Sequence, residues 1–212
     1  MKKIVILISG RGSNMQALLS AKLPCQIAAV ISSRADAQGL NIASQHDIAT
    51  HVVAHKDHAD RASFEAALAE TIDSYQPDFI VLAGFMRILT EQFVNRYRGR
   101  LINIHPSLLP AYAGMHTHER ALQDGVKIHG CTVHFVTPDL DHGPIIIQAA
   151  VPVLGNDTPQ SLSARVLMEE HLIYPQAIRW LCSGHVSLNS EGSVVFNRAE
   201  HASVALISPN ME

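Results

Sequence analysis

The sequence predicts an α/β fold: a single Rossmann-like domain with a mainly parallel sheet, helices on both faces of that sheet, and an antiparallel C-terminal addition. Short runs of β-branched and other apolar residues alternate with segments of helical length, as in βαβ units. The first run, residues 4–8 (Ile-Val-Ile-Leu-Ile), is continuously apolar, which is typical of a parallel strand buried on both faces. A chain of 212 residues that is 47% hydrophobic has enough apolar side chains for one sizeable core.

The first half of the chain contains four predicted strands and three predicted helices. Ser13 precedes the first helix and is of a residue type that commonly caps a helix N-terminus. Phe64, Leu68 and Ile72 repeat at helical spacing, which predicts the third helix. In order, the expected elements are strand 4–8, helix 14–20, strand 26–32, a helix that ends near residue 45, strand 49–53, helix 60–75 and strand 79–82.

The pattern changes in the second half of the chain. A fifth strand carries Asn103, after the apolar pair Leu101 and Ile102. Residues 131–136 then alternate in polarity, and residues 144–153 form a second β run. Two successive β runs with no helix-length segment between them predict an antiparallel pair added to the parallel sheet.

The C-terminal region begins with a helix start signal. Thr158 and Pro159 are typical of the N-cap and the first helical position, and we expect this helix to run to about residue 180 with a bend at Pro175. Residues 187–197 are expected to form a weak hairpin. The domain is predicted to span residues 1–200, with residues 201–212 as a frayed tail.

Composition excludes several classes of partner. The net charge is −3 and the aromatic content is 5%, so we expect neither a polyanion-binding surface nor a base-stacking surface, and no nucleic-acid partner. The apolar run at residues 4–8 is too short for a membrane span or for the apolar part of a signal peptide, so we expect no membrane partner. Cys25, Cys131 and Cys182 are widely spaced without a CxxC motif, which indicates reduced thiols in a cytoplasmic protein.

Thirteen histidines raise the question of a metal site. His116 and His118 could form a ligand pair, but no neighbouring residues complete a recognisable zinc site, and no HExxH motif occurs. We therefore expect no metal. Six further histidines stand in polar or terminal segments and are expected to be solvated at the surface: His46, His51, His55, His58, His185 and His201.

The stretch Asn-Ile-His-Pro-Ser-Leu-Leu-Pro at residues 103–110 carries the main chemical signal. Asn103 and His105 are two residues apart, so on an extended strand both side chains point to the same face. An amide donor beside an imidazole can stabilise an oxyanion and transfer a proton. Asp141, in Asp-Leu-Asp-His-Gly-Pro, could orient the imidazole and favour its protonated form. Ser107 is expected to be structural, because no GxSxG motif surrounds it.

A second signal is the loop Gly10-Arg11-Gly12-Ser13-Asn14 between the first strand and the first helix. Glycines allow close approach of a ligand, and amides at a helix N-terminus favour an anion. A dinucleotide-binding loop would need a third glycine at Met15 and an acidic residue after the second strand, and neither is present. No Gly-Lys-Ser/Thr follows either, so a single phosphate or a plain tight turn remain the two interpretations.

Taken with these motifs, the chain resembles the formyltransferases that use 10-formyltetrahydrofolate. The resemblance covers residues 3–182 and includes residues 83–89 (Ala-Gly-Phe-Met-Arg-Ile-Leu) and residues 114–118 (Gly-Met-His-Thr-His). It implies transfer of the formyl group to the amine of phosphoribosylglycinamide in purine biosynthesis, by direct attack of the amine. It also implies 10-formyltetrahydrofolate as co-substrate with no permanently bound cofactor, small-molecule partners only, and a monomer or homodimer.

The resemblance further implies residue roles. Asn103, His105 and Asp141 would be catalytic; Gly12, Ser13 and Asn14 would hold the substrate phosphate, and Glu170 the ribose. The folate-binding residues would be Arg61, Met86, Arg87, Ile88, Leu89, Asn103, Pro138, Asp139, Leu140 and Asp141. Two positions depart from the family pattern: Leu167, where a polar residue is common, and His142, where glycine is common.

Three alternatives stay open at this point. Formyltetrahydrofolate deformylase uses water in place of the amine, but it normally carries an additional N-terminal domain and lacks the Gly-Ser-Asn loop. A tRNA formyltransferase would be expected to have a C-terminal nucleic-acid domain and a less acidic charge. A non-catalytic α/β ligand-binding protein would have no evident need for Asn103, His105 and Asp141 together.

Overall fold

The computed structural model describes residues 1–197, and the predicted tail at residues 201–212 lies outside the described residues. The strands of the described chain are β1 Lys2–Ile8, β2 Cys25–Ser32, β3 Ala49–Val52, β4 Phe79–Leu82, β5 Leu101–His105, β6 Ile128–Phe135, β7 Ile145–Pro152, β8 Val186–Leu188 and β9 Val194–Phe196. Its α-helices are α1 Ser13–Ser20, α2 Gly39–Gln45, α3 Arg61–Ser74, α4 Glu91–Arg96, α5 Thr117–Gln123 and α6 Pro159–Cys182, with a 3-10 turn at His55–Asp57.

Seven strands form one sheet in the order β3-β2-β1-β4-β5-β6-β7. β1 pairs in parallel with β2 and with β4, β2 pairs in parallel with β3, and β4 pairs in parallel with β5. β6 and β7 pair in antiparallel fashion, as do β8 and β9 in a separate two-stranded sheet. The predicted α/β fold, with a mainly parallel sheet and an antiparallel C-terminal addition, is therefore confirmed.

The chain divides into two compact units. The first comprises residues 1–103 and 135–138, and the second comprises residues 104–134 and the described residues from 139 onward. In the first unit, α3 packs Phe64, Leu68 and Ile72 against buried residues of β1, β2 and β4. This is the helical spacing that the sequence predicted. The extent of a single domain, residues 1–200, stays a prediction.

In the second unit, α6 is the longest element and runs without interruption through Pro175. Its start is as predicted: Thr158 is the N-cap, its side chain accepts from the Ser161 amide, and Pro159 occupies the first turn. The helix ends at Cys182, two residues beyond the expected end. Within residues 1–197, no helix combines the length and the apolar character that a membrane span requires.

Some local predictions were wrong. Ser13 is the first residue of α1 and not its cap; the N-cap is Gly12, in the left-handed region at φ 80°, with no capping side chain. A side chain on Gly12 would meet the backbone of Gly39, because its Cβ would lie 2.9 Å from the Gly39 Cα. α2 ends at Gln45, as predicted, but the short helices α4 and α5 were not predicted.

The β run predicted at residues 131–136 also differs from its prediction. β6 begins three residues earlier than expected, at Ile128, and its residues from His129 to Phe135 are all buried. The alternation in its sequence therefore does not separate a solvent face from a core face. Instead, the polar side chains of this strand are buried, and they have interior partners.

Candidate active site

His105, the last residue of β5, is held in a fixed orientation in the second unit. Its side chain is only 8% exposed. Nε2 lies 3.0 Å from the carbonyl oxygen of Tyr112. Because a carbonyl oxygen can only accept, Nε2 carries a proton in this contact and donates it to Tyr112. The other ring nitrogen, Nδ1, is then the one available for chemistry.

Asp141 is brought next to this imidazole, as the sequence predicted. Its Oδ2 lies 3.4 Å from His105 Nδ1 and accepts from the Gly114 amide at 2.9 Å. Its Oδ1 lies 3.9 Å from Nε2 of His134. The side chain is 9% exposed, so this carboxylate is largely removed from water, and a protonated His105 would balance its charge. Asp141 has φ 55°, a left-handed conformation that directs it into this contact.

The 3.4 Å separation of His105 Nδ1 and Asp141 Oδ2 is informative. Charged N–H···O hydrogen bonds are usually about 2.7–2.9 Å long. The contact is therefore longer than a tight charged hydrogen bond, so Nδ1 is not committed to the carboxylate. A ring nitrogen held in this way can exchange a proton with a reacting group beside the carboxylate.

Sequence reasoning missed three residues of this cluster: Tyr112, Gly114 and His134. Tyr112 and Gly114 contribute a backbone carbonyl and a backbone amide, for which side-chain identity carries no signal. His134 did carry one, because it alternates with Thr132 in a run predicted to be a strand, and both side chains are buried in the structure. Several polar residues in a buried strand indicate an internal hydrogen-bond network.

Two further imidazoles, the buried His129 and the half-buried His118, lie in the same unit. His129 Nε2 and His118 Nδ1 are 3.2 Å apart, and the Tyr112 ring packs edge-on against His129. Burial lowers the pKa of His129 to about 4, and the charges of His118 and His105 lower it further. Burial likewise lowers the pKa of His118. Both rings are therefore neutral near pH 7.

The expected surface histidines divide into two groups. His46 and His185 are exposed, as predicted. The prediction was wrong for three that are half-buried with partners: His51 contacts the Tyr75 hydroxyl, His55 donates to the Ser33 carbonyl, and His58 packs on Phe64. His201 lies outside the described residues. Ser107 is structural, as expected, and its buried hydroxyl donates to the Ala111 carbonyl.

An open cavity of about 410 Å³ lies beside the cluster of His105 and Asp141 in the second unit. It is lined by Ala113, Gly114, Asp139, Leu140 and His142, so two of the predicted folate residues face it. His142 Nδ1 lies 2.7 Å from the Leu140 carbonyl and donates to it. That bond leaves Nε2 of the neutral ring as an acceptor.

The first unit contains the predicted phosphate loop. Gly12 is buried, Ser13 and Asn14 are half-buried, and all three lie at the start of α1. The first-turn amides of a helix have no acceptor within the helix, so this end of α1 suits an anion. The loop is fixed from behind by the Gly39 amide, which donates to the Gly10 carbonyl at 3.1 Å.

The predicted folate segment of the first unit follows β4 without regular structure. The Met86 amide donates to the Ser9 hydroxyl at 2.9 Å, and that hydroxyl is 2.7 Å from the hydroxyl of Ser33. Met86 and Ile88 are 70% and 62% exposed. Exposed apolar side chains on a segment anchored by buried hydroxyls can form one wall for a flat ligand.

The remaining predicted residues are dispersed. In the first unit, Arg61, Arg87 and Pro138 are exposed, Leu89 packs against the core, and Asn103 is half-buried in β5 opposite Leu82 of β4. In the second unit, Glu170 is buried on α6. Burial raises the pKa of Tyr174 and that of Cys131, the latter to about 12, and the Glu170 carboxylate raises both further. Leu167 is half-buried one turn earlier on α6.

Across residues 1–197, no group of three or more His, Cys, Asp or Glu side chains is arranged to hold a metal ion.

Comparison with known proteins assigns the chain to a family. Residues 2–178 match the family described as formyl transferase. The chain is 48% identical over 194 residues to phosphoribosylglycinamide formyltransferase of Escherichia coli K12, covering 90% of this chain and 92% of that protein. It is 43% identical over 192 residues to the protein of the same name from Haemophilus influenzae, covering 89% and 91%. A solved phosphoribosylglycinamide formyltransferase from Coxiella burnetii is 50% identical, covers 92% of this chain and 93% of its own, and superposes with a TM-score of 0.88. The chain therefore belongs to the formyl transferase family.

Proposed function

We propose that this protein transfers the formyl group of 10-formyltetrahydrofolate to the amine of phosphoribosylglycinamide, a step of purine biosynthesis. The observation that carries the proposal is the buried contact at the end of β5 between His105 Nδ1 and Asp141 Oδ2, which are 3.4 Å apart. Near-complete coverage by relatives named for this reaction supports the choice of acceptor.

The chemistry needs no enzyme nucleophile. The substrate amine attacks the formyl carbon, a C–N bond forms, and the carbonyl oxygen becomes an oxyanion. The Asn103 amide and protonated His105 stabilise that oxyanion, and Asp141 pairs with His105. The bond between the formyl carbon and the folate nitrogen then breaks, and the proton lost by the amine passes to the folate nitrogen through a water held at Asp141. Because Tyr112 occupies Nε2, we assign the donor role to Nδ1 of His105.

Substrate binding divides between two kinds of group. The amides and side chains of Gly12, Ser13 and Asn14 would bind the phosphate, and the Glu170 carboxylate would accept from the ribose hydroxyls. The folate would contact apolar side chains and loop backbone. Its proposed contacts are Arg61, Met86, Arg87, Ile88, Leu89, Asn103, Pro138, Asp139, Leu140 and Asp141.

We further propose a cytoplasmic protein, monomeric or homodimeric, with no nucleic-acid or membrane partner and with no permanently bound cofactor or metal. The net charge of −3 supports the first of these exclusions. Within residues 1–197, Cys25, Cys131 and Cys182 form no disulfide, which supports a reducing compartment.

One assay tests the reaction and its nearest alternative. Purified protein is given 10-formyltetrahydrofolate with and without phosphoribosylglycinamide, and both tetrahydrofolate and formate are followed. We expect tetrahydrofolate release that depends on the amine substrate, with formylated product and little formate. Equal release without the amine, together with stoichiometric formate, would identify a deformylase. No release in either case would leave a ligand-binding protein.

A further inference from the structure

A buried hydroxyl in β6 has every hydrogen-bonding position occupied. Thr132 is 0% exposed, and its Oγ1 accepts from the Leu109 amide at 3.0 Å and from Nε2 of Gln148 at 2.9 Å. The same hydroxyl donates to the Ser107 carbonyl at 2.7 Å. One donor and two acceptors are the full capacity of a hydroxyl, so Thr132 has no capacity left for a ligand.

Gln148 lies opposite Thr132 in the β6–β7 register and reinforces the same contact. Its Nε2 donates both to Thr132 Oγ1 and to the Leu109 carbonyl, each at 2.9 Å. Both backbone groups of Leu109 are thereby engaged by side chains of the sheet. Since the loop has no regular structure of its own, these bonds replace the ladder that a strand would supply.

The segment held in this way is the loop between His105 and Tyr112. The Ser107 amide donates to the His105 carbonyl, and the Ser107 hydroxyl donates to the Ala111 carbonyl at 2.6 Å. Tyr112 follows at φ 57°, a strained conformation for a tyrosine, and its carbonyl receives Nε2–H of His105. The loop thus leaves His105 and returns to orient its imidazole.

We propose that Thr132 and Gln148 are positioning residues for His105. They hold the loop at residues 107–109 so that the Tyr112 carbonyl faces Nε2, which fixes the tautomer and directs Nδ1 to the reacting groups. The expected effect on catalysis rests on the proposed function, whereas the assignment of a proton to Nε2 of His105 does not. We expect Thr132 to contribute more than Gln148 to this positioning, because Gln148 is more accessible and water can replace part of its contact.

The test compares Thr132→Val, Thr132→Ser and Gln148→Met with the parent protein. Valine keeps the shape of threonine and removes the hydroxyl, while serine keeps the hydroxyl. Displacing a catalytic group by about 1 Å can cost on the order of 100-fold in rate. We expect kcat to fall by about 10- to 100-fold in Thr132→Val and by less in Gln148→Met, with KM for both substrates within about threefold. Thr132→Ser should recover most of the rate.

The matched control is Thr71→Val in α3 of the first unit, where the hydroxyl donates to the Ala67 carbonyl of its own helix. It should lower Tm without changing kcat. If Thr132→Val also keeps its kcat and only loses Tm, Thr132 is merely structural and the proposal is overturned. If Thr132→Val does not fold, Gln148→Met and Thr132→Ser carry the comparison, and an unchanged kcat in Gln148→Met then counts against the proposal.

Histidine-selective ¹⁵N NMR gives a readout that needs no activity. His105→Gln assigns the resonance, and in the parent protein we expect an Nε2–H proton of His105 that exchanges slowly with water. Thr132→Val should lose that protection, and Thr71→Val should keep it. An unchanged His105 signal in Thr132→Val overturns the positioning role. If the parent protein lacks formyl transfer but the NMR result holds, the proposed reaction has failed and the tautomer assignment stands.

Discussion

The two units bury different kinds of side chain. In the first unit, β1 is wholly apolar from Ile4 to Ile8, and α3 and α4 cover the sheet with apolar residues. Among the described residues, its buried polar side chains are Ser9, Ser32, Ser33 and Glu65. The second unit buries a larger and chemically richer set: His105, Ser107, Thr117, His129, Thr132, His134 and Glu170.

Buried apolar and buried polar side chains contribute to stability in different ways. Buried apolar side chains stabilise a fold roughly in proportion to the area removed from water, whatever their exact partners. Buried imidazoles and hydroxyls stabilise it only when each finds a partner, so their positions are constrained much more tightly. We therefore expect substitutions in the apolar core and the phosphate loop of the first unit to change stability or substrate affinity. Substitutions at Asn103, the last residue of the first unit on β5, and around His105 in the second unit should change turnover.

The largest effect is expected for Asp141→Asn. The change keeps the size and removes the carboxylate that lies 3.4 Å from His105 Nδ1, and losing an electrostatic group of this kind costs on the order of 10²–10³ in kcat. Folate binding should change much less. Asp47→Asn is the control, since Asp47 has nearly the same left-handed backbone, φ 56°, and is exposed.

Asn103→Ala sharpens the same prediction, because it removes an oxyanion donor while leaving the ion pair. The loss should be similar, and the double variant should lose less than the product of the two, since both residues act on one transition state. Steady-state kinetics across pH decide the matter. A loss below about tenfold in Asp141→Asn, with both limbs of its pH profile unchanged, would show that Asp141 does not control His105.

In the first unit, Leu68→Ala should behave in the opposite way. Leu68 is fully buried between α3 and the sheet, and removing its side chain leaves a cavity that typically costs about 2–5 kcal/mol of unfolding free energy. The folded fraction should keep its kcat. Denaturant unfolding measures the loss, and Leu172→Ala, at a side chain 65% exposed on α6, should change stability by less than about 0.5 kcal/mol. A large fall in kcat for folded Leu68→Ala would contradict the division between the units.

The buried imidazoles of the second unit predict acid sensitivity in a defined window. The pKa of His129 is about 4 in the folded protein and 6.5 when unperturbed, so between these values the unfolded chain binds a proton that the folded chain does not. Unfolding free energy should therefore fall as the pH drops from about 6.5 to about 4, by on the order of 2 kcal/mol from this group. His118, with a lowered pKa, adds in the same direction.

Denaturant unfolding at pH 7 and at pH 4.5 measures this loss. His129→Phe should flatten the dependence, because the titrating group is gone. Carboxylates whose pKa is lowered, such as Asp73 beside Arg96, act only below their ordinary value of 3.8 and lie outside this window. An equally steep dependence in His129→Phe would assign the acid sensitivity elsewhere.

The same division explains what the sequence could predict. The four strands of the first unit and α3 follow from apolar runs and helical spacing, and their positions were correct to within one or two residues. The predicted end of α2, near residue 45, was correct, whereas the close approach of Gly39 to Gly12 at its start is a tertiary contact with no local signature. α4 and α5, of six and seven residues, are too short for a periodic pattern to stand out.

At the candidate site, side chains were predictable and backbone groups were not. The pairing of His105 with Asp141 followed from motif and resemblance, and the contact is present in the structure. The Tyr112 carbonyl and the Gly114 amide could not be inferred, since any residue supplies those groups. The Thr132 cluster depends on the β6–β7 register, which single-residue patterns do not specify.

A smaller effect is expected at the phosphate loop. There we expect a change in KM, in contrast to the change in kcat expected around His105. Ser13→Asp places a negative charge at the start of α1, opposite to what a phosphate ligand requires. We expect KM for phosphoribosylglycinamide to rise at least about tenfold, with a much smaller change for folate. Ser20→Asp at the other end of the same helix is the control. Unchanged constants in Ser13→Asp would remove the loop from the substrate site.

The smallest effect is expected at the helix N-caps, which both units contain. Thr158 caps α6 in the second unit, and Asp60 caps α3 in the first, each within a capping box that a serine completes. Thr158→Ala leaves first-turn amides without an acceptor and should cost about 1 kcal/mol, a fall in Tm of about 2–4 °C. Asp60→Ala should lower Tm by a similar few degrees, because the lost contact is the same. Neither change should alter kcat, since neither residue touches the His105 network. Thermal unfolding of both variants, with Thr158→Ser as the control that keeps the cap, makes the comparison. A kcat loss in Thr158→Ala without one in Asp60→Ala would mean that turnover depends on the stability of α6. The buried polar network around His105 would then not be the sole reason why substitutions in the second unit change turnover.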